Sequence, residues 1–236
     1  MTEPVRNPSP RVVTVWSDLG CPWASLALTT LHAAADQARL PIAVDHRSFP
    51  LELFNRRATP KAILDAEIVA IAGVCADLRW QQWAAPESSY PVTTVPAMAA
   101  VQAAKDERIG GLTGSDELDA LLRHAFYAES RCISVESEIL DLAADCPSVD
   151  EEALAHALGE GAGIRAVHEQ WRTACRAEIV GSPHLFVGGS GSVLHNPGVD
   201  YHWTARPDDG GFPRLVAYDP GWADALIAEL TTAGTA

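Results

Sequence analysis

Positive charge is what this chain has least of: 17 Lys and Arg stand against 31 Asp and Glu over 236 residues, a formal net charge of −14. Non-specific nucleic-acid binding needs clustered basic residues, so no nucleic-acid partner is expected. The acid excess names no other partner. No apolar run approaches membrane-spanning length, so no membrane partner is expected either. Met1 to Pro10 lack the apolar centre of a secretory signal and read as a loose tail. Cysteines number only five, at irregular wide spacings, which fits free thiols better than a disulfide framework and favours a reducing, cytoplasmic location. There is no Gly-rich phosphate loop, no internal repeat and no low-complexity tract. The eight histidines are scattered; His195 and His202 form no helical zinc pair and have no cysteine pairs beside them, so no metal site is expected. A Cys–His catalytic pair, whose members lie far apart in sequence, stays open.

What is present is concentrated near the start of the chain. Val12-Val13-Thr14-Val15-Trp16 is β-branched and aromatic, as a buried strand is, and Ser17-Asp18-Leu19-Gly20 is a turn. Cys21-Pro22-Trp23-Ala24 follows, with Pro22 suited to the first position of an Ala- and Leu-rich helix running to about Ala38. A cysteine after a strand and before a helix meets unpaired N–H groups and the positive end of the helix dipole, which stabilise a thiolate. Cys21 is therefore the candidate catalytic nucleophile, with a depressed pKa expected; its competing role is that of a small buried hydrophobe. Trp23 either covers the sulfur or packs in the core. Asp18 suits a turn and is also placed to tune the local field. Ile42 to Phe49 reads as a second strand.

Between about Thr59 and Ala157 the pattern is almost wholly helical. Segments open at Pro60 and Thr94, Ser115-Asp116-Glu117 caps a helix carrying Leu121, Leu122, Ala125 and Phe126, and Ser134 to Glu138 opens another. Strand character returns at Pro183-His184-Leu185-Phe186-Val187. The expected organisation is a tail (1–10), a first α/β part (11–58), a helical insertion (59–160) and a second α/β part (161–236). Cys175 shares helical spacings with Ile164, Val167, His168 and Trp171, which favours a core position over a resolving thiol. Cys75, Cys132 and Cys146 have no redox-turn context. Tyr201-His202-Trp203 is as well suited to packing as to ligand contact.

Together, the Asp18-Leu19-Gly20-Cys21-Pro22-Trp23 turn, the helical insertion, the stretch from Ala125 to Ser134, Gly181-Ser182-Pro183 and Asn196-Pro197-Gly198 with Trp203 resemble the DsbA-like thioredoxin-fold family. The resemblance covers roughly Val12 to Leu230 and is nearest to the cytoplasmic FrnE-like branch of dithiol–disulfide isomerases. It implies an α/β thioredoxin-like fold with a helical insertion. The Cys-Pro-x-Cys motif has its second cysteine replaced by Ala24, so the active-site motif Pro22, Trp23, Ala24 offers no neighbouring resolving thiol. The resemblance also implies a cis Ser182–Pro183 bond beside Cys21, with Ser182 and Pro183 binding substrate. The implied activity is thiol–disulfide oxidoreductase or isomerase chemistry through a single cysteine on a disulfide-containing protein or a small-molecule thiol adduct. No tightly bound cofactor is expected; an external thiol, glutathione or mycothiol, or a substrate thiol resolves the adduct. Two alternatives share the architecture: a kappa-type glutathione transferase or 2-hydroxychromene-2-carboxylate isomerase, whose relatives carry serine at the position of Cys21, and a non-catalytic binding protein.

Overall fold

A computed structural model describes residues 4–177, 179–188 and 191–233. Residues 1–3, 178, 189–190 and 234–236, which include parts of the expected tail and of the last segment, lie outside the described residues.

Strand β1 (Val12–Ser17) is buried along its whole length and leads through the Asp18–Gly20 turn into α1 (Pro22–Ala38). Helix α1 has proline at its first position and ends on Arg39 in the left-handed conformation. Strand β2 (Ala43–Ser48) returns parallel to β1, with Val13 opposite Val44 and Val15 opposite His46. The crossover helix makes that parallel pairing possible. Strands β3 (His184–Val187) and β4 (Val193–His195) complete the sheet in the order β2-β1-β3-β4, with β3 antiparallel to both of its neighbours. The C-terminal helix α9 (Gly221–Ala233) packs beside α1. Val13, Val15, Leu31, Val44, Leu185, Leu226 and Leu230 form the core on that face of the sheet. Leu31 is fully buried there, and truncating it to alanine costs about 2–5 kcal/mol.

Between β2 and β3 lie only helices among the described regular elements apart from 3₁₀ turns: the short α2 (Leu51–Phe54), then α3 (Lys61–Ala72), α4 (Val95–Ala104), α5 (Gly111–Glu129), α6 (Glu136–Ala143), α7 (Glu151–Gly159) and α8 (Ala162–Ala174). Their own core is built from Leu64, Met98, Leu118, Leu122, Phe126, Ile139 and Val167. After β4 a second, two-stranded sheet follows, β5 (Val199–Trp203) paired antiparallel with β6 (Pro213–Tyr218).

Three expectations change. Helix α5 starts at Gly111, not at Ser115, which is buried in its second turn and donates to Val101 O at 2.9 Å. Gly111 at φ +62° lets the chain turn into the helix early, with the Gly110 and Gly111 N–H groups donating to Asp106 O at 2.9 and 3.1 Å. The tail is tied down where it is described: the buried Trp16 indole finds its acceptor at Val5 O (2.8 Å), and Asn7 N donates to Thr14 Oγ1 (2.8 Å). Cys175 caps the end of α8 and is exposed, because the buried stripe of that helix runs through Gly163, Val167, Gln170 and Ala174.

Candidate active site

Cys21 is the residue before the first turn of α1, in extended conformation (φ −93°, ψ 107°). Its N–H donates to Asp18 O at 3.1 Å, and its carbonyl accepts from Ser25 N at 3.1 Å. The sulfur donates to Ser182 O at 3.1 Å, and the Ser182–Pro183 bond is cis. The turn and the proline loop are therefore in direct contact, 161 residues apart in sequence. Ser182 Oγ in turn accepts from Asp18 N at 3.0 Å.

Asp18 serves the turn and more. Its Oδ1 accepts from Gly20 N and Thr94 Oγ1, both at 2.7 Å, and its Oδ2 accepts from Leu51 N at 2.7 Å. One carboxyl thus joins the β1–α1 turn to the start of α2 and to the residue capping α4. Burial outweighs these hydrogen bonds and raises the Asp18 pKa.

The expected low pKa of Cys21 is not what the structure holds. Cys21 is 3 % exposed, and burial pushes the thiol up from 9.0 to about 12; the Ser182 side chain pulls it down, the Glu67 charge raises it, and the Ala24 N–H lowers it again. The helix terminus does supply a donor to the sulfur. It is outweighed because the sulfur has lost its water and two carboxyls, Glu67 and Asp18, oppose a further negative charge.

The cover over Cys21 explains the burial. Trp23 stacks on Tyr201 of β5 with ring centroids 4.1 Å apart and donates through its indole nitrogen to Glu67 Oε1 at 2.9 Å. Cys21, Trp23, Ala24, Leu26 and Ile71 form one apolar cluster, against which Val199, Tyr201, Leu215 and Tyr218 of the β5–β6 hairpin pack. Trp23 therefore packs within this cover, and Tyr201 is a packing partner that also lines an adjoining cleft of about 660 Å³ with Arg57, Glu67, Trp203 and Arg206.

Glu67 is the residue sequence reasoning missed here. Its carboxyl, 9 % exposed on α3, is raised from 4.5 to about 7 by burial, partly offset by the Trp23 hydrogen bond. An acid inside the apolar run Ile63-Leu64…Ile68-Val69 is the signal that marks it. The Cys–His alternative finds no support at Cys21, whose sulfur bonds to a backbone carbonyl; His195 instead contacts Pro183 O through Nδ1 at 2.9 Å. All five cysteines are free, and no described helix is long and apolar enough to cross a membrane.

No curated protein sequence matches the chain. Among solved structures it is similar to the cytosolic disulfide reductase DsbM from Pseudomonas aeruginosa, with a TM-score of 0.66 and 20% identity over 94% of this chain and 100% of that one. A probable DsbA oxidoreductase, SCO1869 from Streptomyces coelicolor, matches with a TM-score of 0.62 and 17% identity over 95% and 90% of the two chains. A 2-hydroxychromene-2-carboxylate isomerase matches with a TM-score of 0.55 and 15% identity over 78% and 87%. At these identities the likeness is one of fold. Residues 12–201 match the DSBA-like thioredoxin domain, a span that runs from β1 through the Cys21 turn, the helices and the cis-proline loop to Tyr201. The chain belongs to the DsbA-like thioredoxin-domain family.

Proposed function

We propose that this chain is a thiol–disulfide oxidoreductase or isomerase acting through Cys21 alone. The observation that carries the reading is the 3.1 Å contact between the Cys21 sulfur and the Ser182 carbonyl, at the start of a helix whose Ala24 N–H also points at the sulfur. A substrate disulfide laid along the Ser182–Pro183 loop takes the place of that contact. Cys21 then loses its proton, and its thiolate attacks one sulfur of the disulfide, forming a Cys21–substrate disulfide and releasing the other sulfur as a thiolate that takes up a proton. Ala24 leaves no thiol one helical turn away, so a second thiolate, from glutathione, mycothiol or the substrate itself, attacks the adduct and restores Cys21. Resolution by a substrate thiol rearranges disulfides with no net electron transfer. Resolution by an external thiol, followed by a second, reduces the substrate and oxidises the small thiol. Substrates are disulfide-containing proteins or small thiol adducts, and the five free cysteines fit a reducing cytoplasm, as in the FrnE-like branch.

Reduction of insulin disulfides with glutathione present tests the reading. The chain turns over only with the external thiol, and Cys21→Ser abolishes turnover; equal rates for the two proteins refute it. A second reading draws on the cleft lined by Tyr201, Trp203, Arg57 and Arg206. Its aromatic walls suit a small aromatic ligand, as an isomerase or transferase that binds a thiol cofactor without covalent attachment requires; its two arginines are paired with Asp208 (3.2 Å) and Asp209 (3.9 Å). Tight glutathione binding without any adduct favours that reading over the first.

A further inference from the structure

The Cys21 turn is gripped by a helix outside the sheet. Arg123, 5 % exposed on α5, pairs side-on with Asp119 one turn earlier, Nε to Oδ2 at 2.6 Å and Nη2 to Oδ1 at 3.1 Å. Nη2 also donates to Ser17 Oγ at 3.0 Å. Nη1, the corner away from the Asp119-facing edge, donates to Asp18 O at 3.1 Å and to Ser25 Oγ at 2.8 Å. Asp18 O is the same carbonyl that accepts the Cys21 N–H, and Ser25 Oγ donates to the Cys21 carbonyl at 3.3 Å. One guanidinium therefore touches a partner of each polar backbone group of Cys21. Four residues on, the Tyr127 hydroxyl donates to Leu19 O at 2.8 Å.

The ion pair is also oriented. Asp119 occupies one edge of the guanidinium, and the opposite corner donates to the turn and to Ser25 of α1. Cys21 is among the groups whose charge Arg123 feels. Around the sulfur, Asp18 from the turn and Glu67 from α3 act in the opposite sense. Tyr127 from α5 and Tyr201 from β5 are held neutral by burial, which raises both hydroxyls. On the far side of the pair His46 Nδ1 approaches Asp119 at 3.5 Å, while its Nε2 meets Asp116 at 2.8 Å. In a buried setting such a fixed charge acts without the screening that weakens surface pairs.

We infer that Arg123 is the positioning residue of Cys21: it fixes the Cys21 peptide through Asp18 O and Ser25 Oγ and holds a positive charge at the turn that favours the thiolate. The inference rests on Cys21 being the nucleophile, and it makes α5 a working part of the site rather than a covering helix. Neutralising the two halves of the pair separates charge from packing. Arg123→Gln removes the cation, whereas Asp119→Asn leaves the cation and removes its counter-charge. Both disturb the buried pair, so a purely structural role moves both in the same direction.

The test measures iodoacetamide modification of Cys21 by peptide mapping between pH 8 and 10, in a Cys175→Ser background, where the rate follows the thiolate fraction. Arg123→Gln is expected to slow modification by about tenfold and Asp119→Asn to speed it by about threefold. Arg123→Lys keeps the charge with fewer hydrogen bonds and is expected to fall between Arg123→Gln and the parent. Circular dichroism identifies any variant that fails to fold. If Arg123→Gln is one, the other two variants decide: an Asp119→Asn rate at or below the parent, or an Arg123→Lys rate equal to the parent, overturns the inference. Failure of the functional reading looks different. Disulfide turnover then survives Cys21→Ser, while the two charge variants still shift modification in opposite directions.

Discussion

Replacing Glu67 by glutamine removes a buried charge while keeping the oxygen that accepts the Trp23 indole hydrogen bond at 2.9 Å. In the folded chain this carboxyl titrates at about 7 instead of 4.5. A group raised on folding contributes stability that is fully present below its unfolded pKa and is lost as pH rises through its folded one. The window is therefore pH 4.5 to about 7. Moving the titration from 4.5 to about 7 corresponds to about 3 kcal/mol, since each tenfold change in proton affinity is about 1.36 kcal/mol. The wild-type chain thus carries a cost above pH 7 that glutamine does not. Urea unfolding followed by tryptophan fluorescence, at half-unit steps from pH 4.5 to 8.5, gives the stability difference between the two proteins, in which the other titrating groups cancel. Glu67→Gln is expected to be within 1 kcal/mol of wild type, as an order of magnitude, at pH 4.5 and about 3 kcal/mol more stable at pH 8. A difference that stays flat across the range, or one that grows in favour of wild type as pH rises, refutes the argument that burial sets this carboxyl.

Three further outcomes follow from the same geometry. At pH 8 in the absence of substrate, the exposed Cys175 is modified by iodoacetamide before Cys21, whose thiolate fraction is about a thousandth of that of a thiol at the ordinary 9.0; timed peptide mapping checks the order. Tyr201→Ala strips the ring stacked on Trp23, and is expected to speed Cys21 modification by about tenfold while lowering stability by about 1–3 kcal/mol in urea unfolding. Ala24→Cys adds a sulfur at a fully buried position, costs about 1 kcal/mol in the same unfolding assay, and supplies a thiol one turn from Cys21; mass spectrometry is expected to show adducts that release without external thiol.

The parts of the fold legible in the sequence are those written locally. Val12–Trp16, the turn, Pro22 at the helix start and the β-branched second strand each carry their own signal, and β1, α1 and β2 form where those signals stand. The β5–β6 hairpin was hidden because both strands are half-exposed and alternate imperfectly, with a register shift at Asp200 and Tyr201. Helix α5 carries two signals at once: Ser115 resembles a cap, but the paired glycines at 110 and 111 start the helix earlier, and the Asp119–Arg123 pair sits among Leu118, Leu122 and Phe126, where isolated charges have no place. That oddity was visible, yet its partner, the Cys21 turn, was not, since the contacts span about a hundred residues. The state of Cys21 was the largest departure. A helix terminus is a property of a few consecutive residues, whereas the burial that overrides it comes from α3 and from a hairpin nearly 180 residues downstream.

The most direct test of a single-cysteine mechanism is the position of the first covalent bond to substrate. The Cys175→Ser protein, mixed with glutathione disulfide, quenched in acid and mapped by mass spectrometry, is expected to carry one glutathionyl group on Cys21 that free glutathione removes. A glutathionyl group on Cys75, Cys132 or Cys146 with Cys21 still a free thiol would contradict the account.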